Sequence, residues 1–581
     1  MSNDCMPRPE YPRPQFVRDR WTNLNGKWGF EKDCGDSGRD RRLFDARQLK
    51  DEIVVPFCPE SKLSGIGHKD FMPAVWYRKE VDLVKGDQER FILHFGAVDY
   101  KTEVWVNGTS VGTHKGGYSS FSFDITDQVL EGKNVITVCA QDQVRSRLQP
   151  SGKQSPQYDS FGCHYTRTTG IWQTVWIEPV PDRSVRNIRI VPDIDNGKVH
   201  ISGRLDGVIR DMQVEVDTAY RGHPTGSCEI PVNGNTFHMS ILLSELHLWE
   251  PGCGRLYDLD IRLTENGQEV DHIKSYFGMR SVSLSDNAIL INNKPVFQRL
   301  VLDQGFYPDG IYTAPTDLAL EEDIMLSLNA GFNGARLHEK IFEPRFLYHA
   351  DRLGYIVWEE HANWGLDISN PTGFYAFLPE WLEAMERDFN HPAIIGWCPF
   401  NETNKSQDND IIKNVYRITK MTDPTRPVID TSGYIHVETD LFDVHNYTQD
   451  VERFKASFQP LLTGEYDKVF TNFEDVQKYR GGPYFVSEFG GTWWKEEAEN
   501  AGTDRKVSWG YGNKPTSLEE FYERYRGLVD TLLDHPKICA FCYTQLTDVE
   551  QEMNGIYTYD RKCKFDMELI RSITSRKAAI E

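Results

Sequence analysis

From Leu290 onward the chain alternates strand-like runs with amphipathic helical stretches, and no other feature narrows the possible folds as far. The strands fall at residues 296–302, 334–337, 355–359, 393–399, 427–430, 441–445, 484–487 and 538–543. Helical periodicity fills the gaps at 316–330, 344–353, 378–389, 408–421, 452–458 and 517–533, with a closing helix at 564–576. A parallel strand needs a crossover of a dozen or more residues to reach its neighbour, and a helix supplies it. Eight such units over about 290 residues predict a (β/α)8 barrel.

Upstream the texture differs. Residues 75–81, 91–98, 102–106, 119–125, 134–140 and 171–178 are short strand-like runs with no helical period between them. Asn107-Gly108, set between Val104-Trp105-Val106 and Ser110-Val111, is a two-residue hairpin signal. Many short strands of this kind predict a jelly-roll β-sandwich. A second set follows at 186–191, 198–202, 212–218, 237–243 and 257–263, in a stretch of about 100 residues, the size of an immunoglobulin-like sandwich. Pro179 and Pro181 punctuate the first junction. The expected organisation is therefore a jelly roll over 1–181, an immunoglobulin-like sandwich over 182–284 and a TIM barrel over 285–581.

Charge removes whole classes of partner. Lys and Arg number 65 against 87 Asp and Glu, a net charge of −22. A surface of that sign repels both a phosphate backbone and anionic lipid, so neither nucleic acid nor membrane is expected as a partner. No run of 18 apolar residues occurs, and residues 1–20 are rich in proline and charge without the apolar centre of an export signal. Eleven cysteines, an odd number without repeating spacing, suit a reducing compartment, so a cytoplasmic location is expected. Cys539 and Cys542 have CxxC spacing, but within a strand positions i and i+3 face opposite ways, which argues against a shared metal. A homo-oligomer is compatible with the sequence, and nothing in it fixes the subunit number.

A barrel of this kind works at the C-terminal ends of its strands. Those ends are polar here: Asp303 and Gln304, then Arg336 and His338, then Trp358-Glu359-Glu360, then Asn401-Glu402. Asp443, His445 and Tyr447 share one parity on the sixth strand, Glu488 ends the seventh, and Tyr543 and Gln545 share a parity on the eighth. Asp303, Arg336, His338, Asn401, His445, Tyr447 and Tyr543 are accordingly expected around a bound substrate, a small molecule or an oligosaccharide. No His-Glu-x-x-His or phosphate-loop motif is present, and the glycines at 490 and 491 read as a turn. His338, His361 and His445 are the histidines that a metal would need, but no ligand set follows from their spacing.

Carboxylates remain. Glu402 and Glu488 lie at strand ends across one barrel mouth. Cleaving a glycosidic bond takes two carboxyl groups flanking it, one protonated and one ionised, with the carboxylate stabilising an oxocarbenium-like transition state. Such chemistry needs no cofactor and no metal. Asn401, beside Glu402, is placed to bond a sugar hydroxyl next to the reacting carbon. A carbohydrate-binding protein without catalysis and a barrel metallohydrolase are the readings from other classes.

The stretch from Asp388 to Glu402 resembles the acid/base signature of glycoside hydrolase family 2, the β-galactosidase/β-glucuronidase family, through Asn390-His391-Pro392, Trp397 and Asn401-Glu402. Phe389 and Cys398 depart from its commoner residues there. Phe485-Val486-Ser487-Glu488-Phe489-Gly490 is similar to the nucleophile segment. Trp21, Leu24-Asn25-Gly26, Trp28, Trp76-Tyr77-Arg78 and Thr169-Gly170-Ile171-Trp172 resemble the family's N-terminal marks, and the order of three domains matches. The resemblance implies a retaining exo-β-glycosidase with Glu402 as acid/base and Glu488 as nucleophile. It also implies that Arg336 orients the nucleophile and keeps it ionised, and that Tyr447 gives it a phenol hydrogen bond. Arg336-Leu337-His338-Glu339-Lys340 departs from the family's Ser/Thr-x-His-Tyr-Pro, and Asn513-Lys514-Pro515 lacks the second lysine position that holds a uronate. A β-galactoside-like sugar is therefore the expected substrate, with a glucuronide or another hexoside or pentoside as the alternative; a glucuronide would fall to Lys514.

Overall fold

Asn107 and Gly108 take φ of 50° and 79°, the pair of left-handed conformations that a type I′ turn requires between twisted strands. The turn joins Lys101–Val106 to Thr109–Lys115, and the pair forms one edge of a six-stranded antiparallel sheet. The computed structural model describes residues 6–86, 89–495 and 508–581. In it the six-stranded sheet faces a four-stranded one made of Thr22–Asn23, Val175–Pro181, Glu89–Phe95 and Phe121–Asp124. Trp28, Phe30, Tyr77, Leu93, Phe95 and Val138 fill the space between them. That is the expected jelly-roll sandwich.

The second sandwich has three strands against four. Two of its strands, His223–Val232 and Gln268–Phe277, were not expected from the sequence. Both are sheet edges, and the first carries Pro224 and Pro231, residues that only an edge strand accommodates. Val214, Val216, Ile261, Met239 and Phe277 pack between the sheets.

The barrel strands are β1 (Gln298–Asp303), β2 (Gly334–Leu337), β3 (Ile356–Glu360), β4 (Ile394–Cys398), β5 (Thr431–Ser432), β6 (Phe442–Asn446), β7 (Tyr484–Gly490) and β8 (Ile538–Thr544). Helices α1 (Asp317–Asn329), α2 (Pro344–Leu353), α3 (Pro371–Asp388), α4 (Asn409–Thr422), α5 (Val451–Thr463), α6 (Leu518–Leu533) and α7 (Met567–Thr574) pack outside. Seven strands form one parallel sheet in the order β4-β3-β2-β1-β8-β7-β6. The fifth strand expected at 427–430 is a single bridge from Trp397 to Val428, and the ladder forms one step later, where Phe400–Asn401 pairs with β5. Side chains close the ring on the other side: Ser432 Oγ and Gly433 N–H both donate to Asp443 Oδ2, at 2.8 and 3.0 Å. α3 begins earlier than the periodicity indicated. Asn370 caps it by accepting the Thr372 N–H at 2.9 Å, Pro371 occupies the first turn, and Pro379 is tolerated in its interior. Among the described residues no helix is long and apolar enough to cross a membrane.

A long loop of the first sandwich, residues 143–169, reaches over the barrel mouth. Ser151 N–H donates to Trp364 O at 2.8 Å, Tyr165 OH to Glu552 Oε2 at 2.6 Å, and Gln551 Nε2 to Gly162 O at 2.6 Å. At the base of this loop Glu60 is buried and accepts the Thr169 N–H at 3.2 Å. Burial, with Asp142 nearby, pushes its carboxyl up to about 8. The folded state then binds the proton more tightly than the unfolded chain, so this contribution is full below about pH 4.5 and is lost as pH rises to about 8. Glu60→Gln keeps the shape and removes the titration. Its melting temperature relative to the parent should climb across that window, by a stability difference on the order of a few kcal/mol. Parallel melting curves at both ends of the window would show that Glu60 is not the group responsible.

Candidate active site

Arg336 on β2 is fully buried and organises the mouth. Its Nη1 donates to Glu488 Oε1 at 2.9 Å and to Ser487 O at 3.0 Å, Nη2 donates to Asn401 Oδ1 at 2.8 Å, and Nε donates to Glu360 Oε2 at 2.9 Å. One guanidinium thus ties the ends of β2, β3, β4 and β7 together, using the planar fork that lysine lacks. Glu360 also accepts the Glu339 N–H at 2.9 Å and faces His338 Nδ1 at 2.8 Å. Burial alone would raise the Glu360 carboxyl, but Arg336 and His338 outweigh it and bring it to about 2.

Glu488 is held from several sides. Burial again acts upward, while His445, Arg336 and His338 act downward and keep it well below the usual carboxylate range. Tyr447 OH donates to Glu488 Oε2. The Tyr447 ring lies flat on Tyr511, with centroids 3.5 Å apart and planes 5° from parallel, and Thr544 Oγ1 sits 3.0 Å from its hydroxyl.

Glu402 follows β4 with φ of 50°, a left-handed conformation rare for a side chain of this size. Its N–H donates to Ser432 O at 2.9 Å, which holds that bend. The side chain is 17% exposed against 6% for Glu488, so Glu402 faces the opening and Glu488 the floor. His445 Nδ1 is 2.7 Å from Glu402 Oε1 and 3.4 Å from Glu488 Oε2. One carboxylate oxygen of each glutamate and a ring nitrogen of His445 all lie within 4.8 Å of one another. Burial would lower the His445 imidazole, but Glu488 and Glu402 beside it raise it instead. The spacing of this trio would admit a cation, and in the structure His445 lies between the two glutamates. Asn401 N–H donates to Asn363 Oδ1 at 2.7 Å, and Asn401 Nδ2 has no hydrogen-bond partner among the described residues.

The structure gathers Glu402, Glu488, Arg336, His338, Asn401, His445 and Tyr447. It does not bring Asp303 or Tyr543 to them. Asp303 is buried at the end of β1, accepts the Gly305 N–H at 2.9 Å and lies by Asp323 of α1 and by Arg561. Burial, then Asp323, pushes it up to about 7. Tyr543 packs edge-on against Tyr525 of α6 at 5.1 Å, in the helix layer, and Cys542, the next residue on β8, takes the place beside Arg336. Alternation along the strand decides this: the inward parity of β8 is one residue out of step with that expected. His361 likewise leaves the mouth and packs on Phe377 and Trp381 of α3. Lys514 lies over the ring of Trp494, which packs on Phe521 and Phe565.

Tyr434 and Lys153 were missed, and Glu360 was named at the end of the third strand without being separated from Glu359. Glu360 shares its parity with inward-facing Trp358, whose Nε1 donates to Gln298 Oε1 at 2.6 Å, so strand alternation alone could have separated it from Glu359, which faces Asp388. Tyr434 follows β5, and burial together with Glu402 and Glu488 pushes its phenol up. Lys153 arrives from another domain, and no local pattern marks it.

Against known proteins, the chain matches the family description "Glycosyl hydrolases family 2, sugar binding domain" over residues 21–177. It matches "Glycosyl hydrolases family 2" over 184–280 and "Glycosyl hydrolases family 2, TIM barrel domain" over 282–577. It is 26% identical over 336 residues to a putative β-glucuronidase of Formosa agariphila, covering 56% of this chain and 39% of that protein. A β-galactosidase of Thermoanaerobacter pseudethanolicus is 26% identical over 419 residues, 67% of this chain and 53% of the relative. The match thus spans less than two thirds of either relative. The fold is also that of the β-glucuronidase of Bifidobacterium dentium, with a TM-score of 0.79 at 18% identity, over 99% of this chain and 100% of that one. With three consecutive family matches and the barrel alone taking up half of the sequence, the chain belongs to glycosyl hydrolase family 2.

Proposed function

We propose that the protein is a retaining exo-β-glycosidase and that its substrate is a β-glucuronide. The observation that carries the reaction is the pair Glu402 and Glu488, with carboxylate oxygens within 4.8 Å of each other. Retaining enzymes hold their carboxyl groups about 5–5.5 Å apart, whereas inverting ones leave about 6.5–9.5 Å for a water between them. Glu488, kept ionised by Arg336, His445 and Tyr447, attacks the anomeric carbon from the floor. Glu402, on the open side, gives its proton to the departing oxygen as that bond breaks. The resulting glycosyl ester is cleaved by a water whose proton returns to Glu402. The unpartnered Asn401 Nδ2 is available to a sugar hydroxyl, which makes it the neighbour expected to bind more strongly as charge develops.

For the sugar, the names of the relatives favour glucuronide over the galactoside expected from the sequence. A galactoside is the second reading, supported by relatives named β-galactosidase. Proton NMR of the first-formed sugar tests the mechanism: the β-anomer is expected before mutarotation, and an α-anomer requires inversion. A panel of nitrophenyl β-glycosides tests the sugar, with the glucuronide expected to have the highest kcat/KM and a higher value for the galactoside overturning that choice.

A further inference from the structure

Lys153 is 5% exposed, yet its ammonium has no ion pair and no hydrogen bond among the described residues. It lies against the ring of Trp364, whose centroid is 3.6 Å from Nζ. The loop that carries it is pressed onto the barrel. Gly152, with φ of 54°, comes so close that a Cβ there would meet Glu339 O at 2.3 Å, so only glycine permits the approach. Burial would lower the Lys153 ammonium, but Cys163 and then Glu402, Glu339 and Glu488 raise it, and Trp364 beneath it donates its backbone N–H to Glu339 Oε2 at 3.0 Å.

The neighbouring cations are occupied. Arg336 spends its guanidinium on Glu360, Glu488 and Asn401, and Lys340 is fixed on the carbonyls of Gly305 and Tyr312. An aromatic face is weak compensation for a buried ammonium. The ionised Glu488, moreover, repels any anionic sugar that binds above it. A uronate therefore needs a fixed cation at the mouth, and a buried ammonium needs an anion.

We propose that Lys153 binds the carboxylate of the uronic acid, so that the sandwich domain, not the barrel, recognises the charge on the sugar. This rests on the glucuronide reading above and names the residue responsible for it. The test compares para-nitrophenyl β-D-glucuronide with para-nitrophenyl β-D-glucoside, which differ in that carboxylate alone. In Lys153→Met the ratio of kcat/KM values, glucuronide over glucoside, should fall by about a hundredfold, mostly through KM. Lys153→Arg, which restores the charge, should recover part of the ratio. Lys153→Gln gives the same comparison if the methionine variant does not fold. Equal losses on both substrates, or an unchanged ratio in a protein that prefers glucuronide, overturn the role of Lys153 alone. A wild-type protein that cleaves glucoside or galactoside but no glucuronide overturns the substrate reading, and this proposal with it.

Discussion

Glu488→Ala should lose about four or more powers of ten in kcat on every β-glycoside the protein cleaves, each power worth about 1.4 kcal/mol. The loss is independent of the leaving group, because the variant has no group to accept the anomeric carbon. It also removes the negative charge facing the oxocarbenium-like transition state. The fold should survive. Arg336 keeps its contacts to Glu360 and Asn401, and Tyr447 OH keeps Thr544 within 3.0 Å. A melting temperature near that of the parent would therefore mark the loss as chemical. A fluorinated glycoside that slows the second step should label the parent at Glu488, as peptide mass spectrometry would show. A label on another carboxylate, or near-parental turnover by Glu488→Ala, would place the nucleophile elsewhere.

The elements that sequence periodicity located are those whose apolar spacing is set by the barrel itself. β2, β3, β7 and β8 are buried on both faces and read as short apolar runs between helices. β5 was misplaced because two residues of ladder leave almost no pattern, and the ring there is held by Ser432, Gly433 and Asp443. The same limit explains the site. Glu402, Glu488 and Arg336 sit where strand ends and sequence motifs coincide. His338, His445 and Tyr447 follow from strand parity.

Parity fails when a strand's inward phase is not known. Tyr543 went outward and Cys542 inward, although both phases read equally well in Ile538–Thr544, where every residue is buried. Asp303 failed for a different reason: it is inside the protein but on the helix side, near Asp323 and Arg561. Lys153 was not legible at all. Its place depends on how a loop from the first sandwich lies across the barrel, a contact between segments about 200 residues apart. Local spacing carries no information about such contacts, whereas it carries nearly all of what defines a helix or a strand.

Glu402→Ala should separate the two halves of the reaction. Protonating the departing oxygen matters for an alkoxide and little for a dinitrophenolate, which leaves without help. The variant should therefore form the glycosyl ester from a dinitrophenyl glycoside at a rate near the parent's while failing on an alkyl glycoside. The ester should then accumulate, since the same residue acts as base toward water in the second step. A burst of dinitrophenol followed by slow turnover is the expected trace. Azide needs no base, so it should restore turnover, entering from the open side where Glu402 stood and yielding a β-glycosyl azide. Azide acting on Glu488→Ala would enter from the floor, where the nucleophile had been, and yield the α-azide. The configuration of the azide thus reports which face each glutamate serves. Their unequal exposure, 17% for Glu402 and 6% for Glu488, already orders them from opening to floor. An α-azide from Glu402→Ala would exchange the two roles and require the attack to come from the side facing solvent.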